Sequence, residues 1–133
     1  MLRFIWVYLI YTWGGLHRYF GNQNHMRSEH ELAVHYFGKA LAVAPDFQQA
    51  RLARGVLLGR ELGRFDEALA DFNHILRDDP ESGEALLNRG LVLQQNGRFA
   101  DALTDLEAYI TLPNTKTYRE EAQRIVRVLR EMV

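Results

Sequence analysis

Gly63-Arg-Phe-Asp-Glu-Ala-Leu-Ala-Asp-Phe72 returns 34 positions later as Gly97-Arg-Phe-Ala-Asp-Ala-Leu-Thr-Asp-Leu106. Other residues keep the same beat. Ala33, Ala68 and Ala102 are 35 and 34 apart, as are Phe37, Phe72 and Leu106. The only three prolines, Pro45, Pro80 and Pro113, are 35 and 33 apart. Independent residues sharing a period near 34 indicate stacked supersecondary units, each too small to bury its apolar face alone.

Inside each unit the local period is that of a helix. From Glu31 to Ala44 the apolar residues Leu32, Ala33, Tyr36, Phe37, Ala40, Leu41 and Ala44 fall at steps of one, three and four, which is one face of a 3.6-residue helix. Ser28 with Glu31 has the spacing of a capping box at its start. Residues 66–77 and 100–111 carry a similar pattern, and each such helix follows another, predicted over 17–27, 48–62 and 82–96. Gly63 and Gly97 suit the turns within the pairs, where positive φ is cheap for glycine. Pro45 and Pro80 suit the ends of the pairs, because proline disfavours helix in the residue before it.

The pattern resembles the tetratricopeptide repeat family over roughly residues 14–113. Small residues at the helix crossing are Gly21, Gly55 and Gly90, facing Ala33, Ala68 and Ala102. The aromatic that precedes the second helix is Phe65 and Phe99, with His30 in that slot of the first unit. The resemblance implies an all-α, right-handed superhelical solenoid of antiparallel helix pairs. Its units are expected over about 17–47, 48–81 and 82–113, preceded by an apolar N-terminal segment, residues 1–16. In the second unit Gly55 to Ala68 spans 13 residues against 12 in the others, which predicts a first helix that is longer by one residue or carries a bulge. Thr117 and Glu120 read as a second capping box. It would open a C-terminal capping helix within residues 114–133, with a buried stripe of Ala122, Ile125, Val126, Leu129 and Met132.

In this family the first helix of each pair lines the concave face. By that resemblance the peptide-binding lining is Arg18, Asn22, His25 and Met26, then Leu52, Val56 and Arg60, then Leu87, Leu91 and Gln94. The mixture suits an extended or helical protein segment with apolar side chains and some negative charge. Some family members hold a chaperone C-terminal carboxylate with a Lys/Arg-x-x-Gly-Asn element, and Arg18-Tyr-Phe-Gly21-Asn22 matches it. The remaining clamp positions hold Ala53, Glu84 and Asn88. A glutamate where a cation is needed repels a carboxylate, so the full clamp is not expected.

The 133 residues carry 16 Lys/Arg and 17 Asp/Glu, a net charge of −1 that does not suggest a nucleic-acid binder. The charge is uneven: residues 1–60 hold seven basic and three acidic residues, +4, and residues 61–133 hold nine and fourteen, −5. Without cysteine there is no disulfide, thiolate metal site or cysteine nucleophile. The five histidines show no zinc spacing, and neither a phosphate-binding Gly-x-x-x-x-Gly-Lys loop nor a Gly-x-Ser-x-Gly elbow occurs. The carboxylate pairs Asp78-Asp79 and Glu120-Glu121 are adjacent in sequence and do not converge. Neither an enzyme, a cofactor, a metal nor a small-molecule substrate is expected.

Phe4 to Tyr11 is uninterrupted apolar or aromatic, extended by Leu2 and Trp13, and then meets Gly14-Gly15. The stretch is short for a membrane span. It has the length of a secretory apolar region, but the cleavage site after it is poor. It also reads as a helix packed on the first repeat. Rings of this kind favour the lipid–water boundary, so Phe4, Trp6, Tyr8, Leu9, Tyr11 and Trp13 are the expected membrane contacts. His17, Arg18 and Arg27 are suited to anionic headgroups. The resulting expectation is a membrane-associated protein-interaction scaffold or assembly factor with a soluble repeat domain. The alternatives are a cytoplasmic scaffold and a permanent structural subunit of a membrane complex.

Overall fold

The computed structural model describes residues 1–133. Seven α-helices follow one another without a strand: α1 Leu2–Asn24, α2 Arg27–Val43, α3 Gln48–Val56, α4 Phe65–Asp78, α5 Gly83–Gln95, α6 Phe99–Thr111 and α7 Arg119–Met132. A five-residue π-helical segment, Leu57–Glu61, continues α3. The chain forms two compact units, residues 1–71 and 72–133.

In the first unit α1 packs against α2 along its length. Val7 meets Ala40, Leu41 and Ala50, with Ile10, Tyr11, Val43 and Phe47 around them. Ala33, Phe37, Ala53 and Leu57 form a second cluster. The Tyr11 ring bridges the two, 5.6 Å from the Phe37 ring and 4.9 Å from that of Phe47. The helices approach closely because Gly14 and Gly21 lack side chains. A Cβ on Gly14 would lie 2.8 Å from the Phe37 ring, and one on Gly21 would lie 2.5 Å from the His30 ring. His30, in the slot filled by phenylalanine in the other two repeats, is buried against that glycine.

Two sequence expectations change here. The helix predicted over 17–27 is the second half of α1, which runs unbroken through Gly14-Gly15 from Leu2 and stops at Asn24. Packing against α2 overrides the weak helix propensity of the two glycines. The first turn of α2 is capped by Met26 rather than Ser28. Ser28 lies inside the helix, and Glu31 reaches Arg64 at 3.0 Å instead of its own helix start.

The extra residue of the second repeat sits in the π-helical segment. Leu62 N–H donates to Leu57 O, and Arg64 N–H donates to Leu58 O, six residues back. The matching turn of the third repeat closes one residue tighter, with Arg98 N–H on Leu93 O. Both turns pass through a glycine at positive φ, Gly63 at 65° and Gly97 at 78°.

In the second unit α5, α6 and α7 pack in sequence. Gly90 lets Leu106 approach within 2.9 Å of where its Cβ would stand. Ser82 caps α5, its hydroxyl accepting from Ala85 N–H at 3.4 Å. Ala122, Val126 and Leu129 of α7 are buried and Ile125 is half-buried. Met132, expected in that stripe, is exposed, because it lies in the last turn of the helix. The expected Thr117–Glu120 capping box is also absent: α7 begins after Tyr118. Arg119 takes over the task of fixing this entry, donating to Leu112 O at 2.7 Å and to Thr115 Oγ1 at 3.1 Å.

Candidate protein-interaction site

The expected lining divides between the two units. On α1, Arg18 and Asn22 are one turn apart. The Arg18 guanidinium stands 5.7 Å from the Phe37 ring centroid, and Asn22 Oδ1 is 2.9 Å from His30 Nε2. His25 ends the helix in the left-handed conformation, with φ 52° and its N–H on Gly21 O. On α3 and its π continuation, Leu52 and Val56 are half-buried one turn apart and Arg60 is exposed. On α5, Leu87, Leu91 and Gln94 share one face and are all half-buried. Each unit therefore presents an apolar ladder that its own core leaves partly uncovered, beside polar or basic side chains. Of the positions expected to lack the carboxylate clamp, Ala53 is buried and Asn88 Nδ2 donates to Glu84 O at 2.7 Å.

The walls behind these ladders are fixed by ion pairs that sequence reasoning missed. Arg54 on α3 forks onto Asp71 of α4 at 2.9 and 2.7 Å, and Asp71 is 3 % exposed. Arg89 on α5 forks onto Asp105 of α6 at 2.6 and 2.7 Å, and Asp105 is 4 % exposed. Hydrogen bonds to these carboxylates outweigh burial and hold both guanidiniums above their ordinary pKa. The signal was present: Arg54-Gly55 and Arg89-Gly90 repeat at 35, and Asp71-Phe72 and Asp105-Leu106 at 34. In the first repeat these positions hold Phe20 and Tyr36, and His17 stacks on Tyr36 at 5.4 Å while bonding Glu29 at 2.6 Å.

The expected membrane contacts lie on α1. Phe4, Trp6, Tyr8, Leu9 and Trp13 are exposed, whereas Tyr11 is turned inward onto Phe37 and Phe47. The exposed set extends past the double glycine to Leu16, Tyr19 and Phe20. Reading the glycines as a boundary hid those three. No helix is long and apolar enough to cross a membrane.

Stacked antiparallel helix pairs with small residues at the crossings and glycine turns between them define a helical-repeat protein. Residues 60–116 match the family model described as Tetratricopeptide repeat. The tetratricopeptide-repeat domain of Arabidopsis OM64 is similar in fold, with a TM-score of 0.81 at 19 % identity over 98 % of this chain and 99 % of that one. The TPR2B domain of yeast Sti1, solved in its pHsp70 complex, gives 0.73 at 22 % over 92 % and 99 %. The first tetratricopeptide-repeat domain of Spaghetti (RPAP3), bound to the HSP90 peptide SRMEEVD, gives 0.70 at 18 % over 91 % and 93 %. This chain thus has the fold of tetratricopeptide-repeat domains, and its residues 60–116 match that family's model.

Proposed function

We propose that this chain is a protein-interaction scaffold that holds a segment of another protein along the first helices of its repeats. The observation that carries this reading is the pair of half-covered ladders, Leu52 with Val56 and Leu87 with Leu91. Apolar side chains left uncovered at regular spacing on rigid helices are what an extended or helical peptide docks against. Arg18, Asn22, His25, Arg60 and Gln94 supply polar contacts at the margins and favour a segment with acidic groups. The solved relatives in complex with Hsp70 and HSP90 peptides support a peptide as the ligand class. With Ala53, Glu84 and Asn88 at the other clamp positions, this site selects against a bare C-terminal carboxylate.

The same reading attaches the scaffold to a membrane surface through the exposed apolar residues of α1. As a permanent subunit of a membrane complex, the chain would instead cover those residues with partner helices and would co-purify with them through gel filtration.

Selection of a displayed 12-residue random peptide library against the purified chain tests the groove. Enrichment of apolar sequences with acidic flanks is expected, with binding about tenfold weaker to Leu52→Asn or Leu91→Asn chains that still melt cooperatively. Selected peptides that bind both variants as tightly as the parent would place the site elsewhere.

A further inference from the structure

Helix α1 has two apolar faces. One carries Val7, Gly14 and Gly21 and is buried on α2. At 3.6 residues per turn, Leu2, Ile5, Leu9, Trp13, Leu16 and Phe20 fall on the other side within an arc of about 80°, in a strip about 27 Å long. All six are exposed, Leu2 at 83 % and the others between 40 and 57 %. Tyr8 and Tyr19, each 57 % exposed, flank the strip on one side, and Trp6, 60 % exposed, lies along the other. An exposed apolar strip of this length on a helix already packed on its other side marks an interaction surface.

Three features say which kind. First, the polar groups at its margin are closed on the helix itself: Thr12 Oγ1 donates to Tyr8 O at 2.7 Å and Asn24 Nδ2 to Phe20 O at 3.0 Å. That closure leaves these two side chains compatible with a phase that offers few hydrogen-bond partners, although Asn88 and Thr104 close on α5 and α6 in the same way. Second, no Asp or Glu precedes Glu29, so residues 1–28 carry Arg3, Arg18 and Arg27 against no carboxylate. Arg3 bonds Val43 O and Arg18 stands over the Phe37 ring, so they act through the net positive field of this region rather than by contact along the strip. Third, both tryptophans of the chain, Trp6 and Trp13, stand on or beside the strip with two tyrosines, the residues that settle at headgroup depth.

We propose that α1 lies in the plane of an anionic lipid surface on its Leu2–Phe20 strip, packed on its other side against α2. The proposal rests on the membrane-attached scaffold reading and adds the face, the orientation and the lipid charge. The anchor is then no separable tether. The helix that touches lipid also turns Arg18 and Asn22 towards Phe37 and His30 of α2, so the first repeat is held on the membrane with its groove residues facing away from it.

The test uses the full chain with vesicles of phosphatidylcholine alone and of phosphatidylcholine with phosphatidylserine. Flotation with the anionic vesicles is expected, together with a blue shift of tryptophan emission and quenching by brominated lipid. Leu9→Lys and Leu16→Lys should each weaken partitioning about tenfold without lowering the melting temperature by more than a few degrees. Should a variant fold poorly, brominated-lipid quenching in the parent chain still decides. Emission that stays unshifted in a folded parent chain overturns the proposal. So does a dimer in gel filtration that Leu9→Lys dissociates, which would assign the strip to a second copy. Equal flotation with neutral vesicles overturns the anionic orientation but leaves membrane attachment standing, and peptide capture by the groove is read separately.

Discussion

Gly14 and Gly15 are neighbours in one helix with opposite surroundings. A Cβ on Gly14 meets the Phe37 ring at 2.8 Å, and one on Gly15 meets nothing within 4 Å. Gly14→Ala is therefore expected to cost about 1–3 kcal/mol through displacement of a buried ring, while Gly15→Ala gains up to about 1 kcal/mol of helix propensity. Thermal melts of the two single variants check both signs. The buried ends of the interhelical forks belong to the same scale. Asp71→Ala takes the carboxylate from Arg54 and from Arg51, 3.8 Å away, and is expected to destabilise by about 2–3 kcal/mol, whereas the paired swap Arg54→Met with Asp71→Leu should recover only part of that, because Arg51 still loses this ion pair. Denaturant titration of the single and double variants separates these outcomes. The Arg54 pKa is raised, so on the arginine side the fork's contribution is lost only as pH climbs through arginine's own range. The crossing glycines and alanines were legible in the sequence because their period is set by packing. The forks passed unread because charges had been counted as totals rather than placed on the repeat.

At the scale of the element, the 13-residue spacing from Gly55 to Ala68 showed that the second repeat has one residue too many, and the π-helical segment is where it goes. Deleting Gly59 restores the 12-residue spacing and lets α3 run on as α-helix. That chain is expected to keep its helical circular dichroism and melt within a few degrees of the parent. Deleting Leu91 from α5 would instead turn Val92 and Leu93 out of the core and cost several kcal/mol. Helix ends were read less well. Ser28 and Thr117 have capping-box spacing, yet α2 begins at Arg27 and α7 at Arg119. In both places an arginine contact, Arg64 on Glu31 and Arg119 on Leu112 O, is made instead of the box. The double glycine misled for a related reason: isolated propensity argues for a break, but α2 supplies a surface that only a glycine-bearing helix can approach. Removing residues 1–15 therefore deletes part of the first unit's core. The truncated chain is expected to lose the Val7 and Gly14 contacts and melt well below the parent in calorimetry.

Across the whole molecule, fold class was legible from the period alone, because each repeat must bury its stripe on a neighbour. The candidate site was only partly so. Which residues sit on the first helices follows from the repeat, but how much of Leu52, Val56, Leu87 and Leu91 the core leaves uncovered depends on side-chain packing that no period encodes. The outer strip of α1 was visible as composition and hidden as geometry, since its continuity needs one helix from Leu2 to Asn24. The central claim is that the first helices of the repeats hold a protein segment, and amide chemical-shift mapping with a library-selected peptide tests it most directly. The account predicts shifts at Arg18, Asn22, Leu52, Val56, Leu87, Leu91 and Gln94, with α7 and the outward positions of α4 and α6 silent. Shifts confined to α4, α6 or α7 would contradict it.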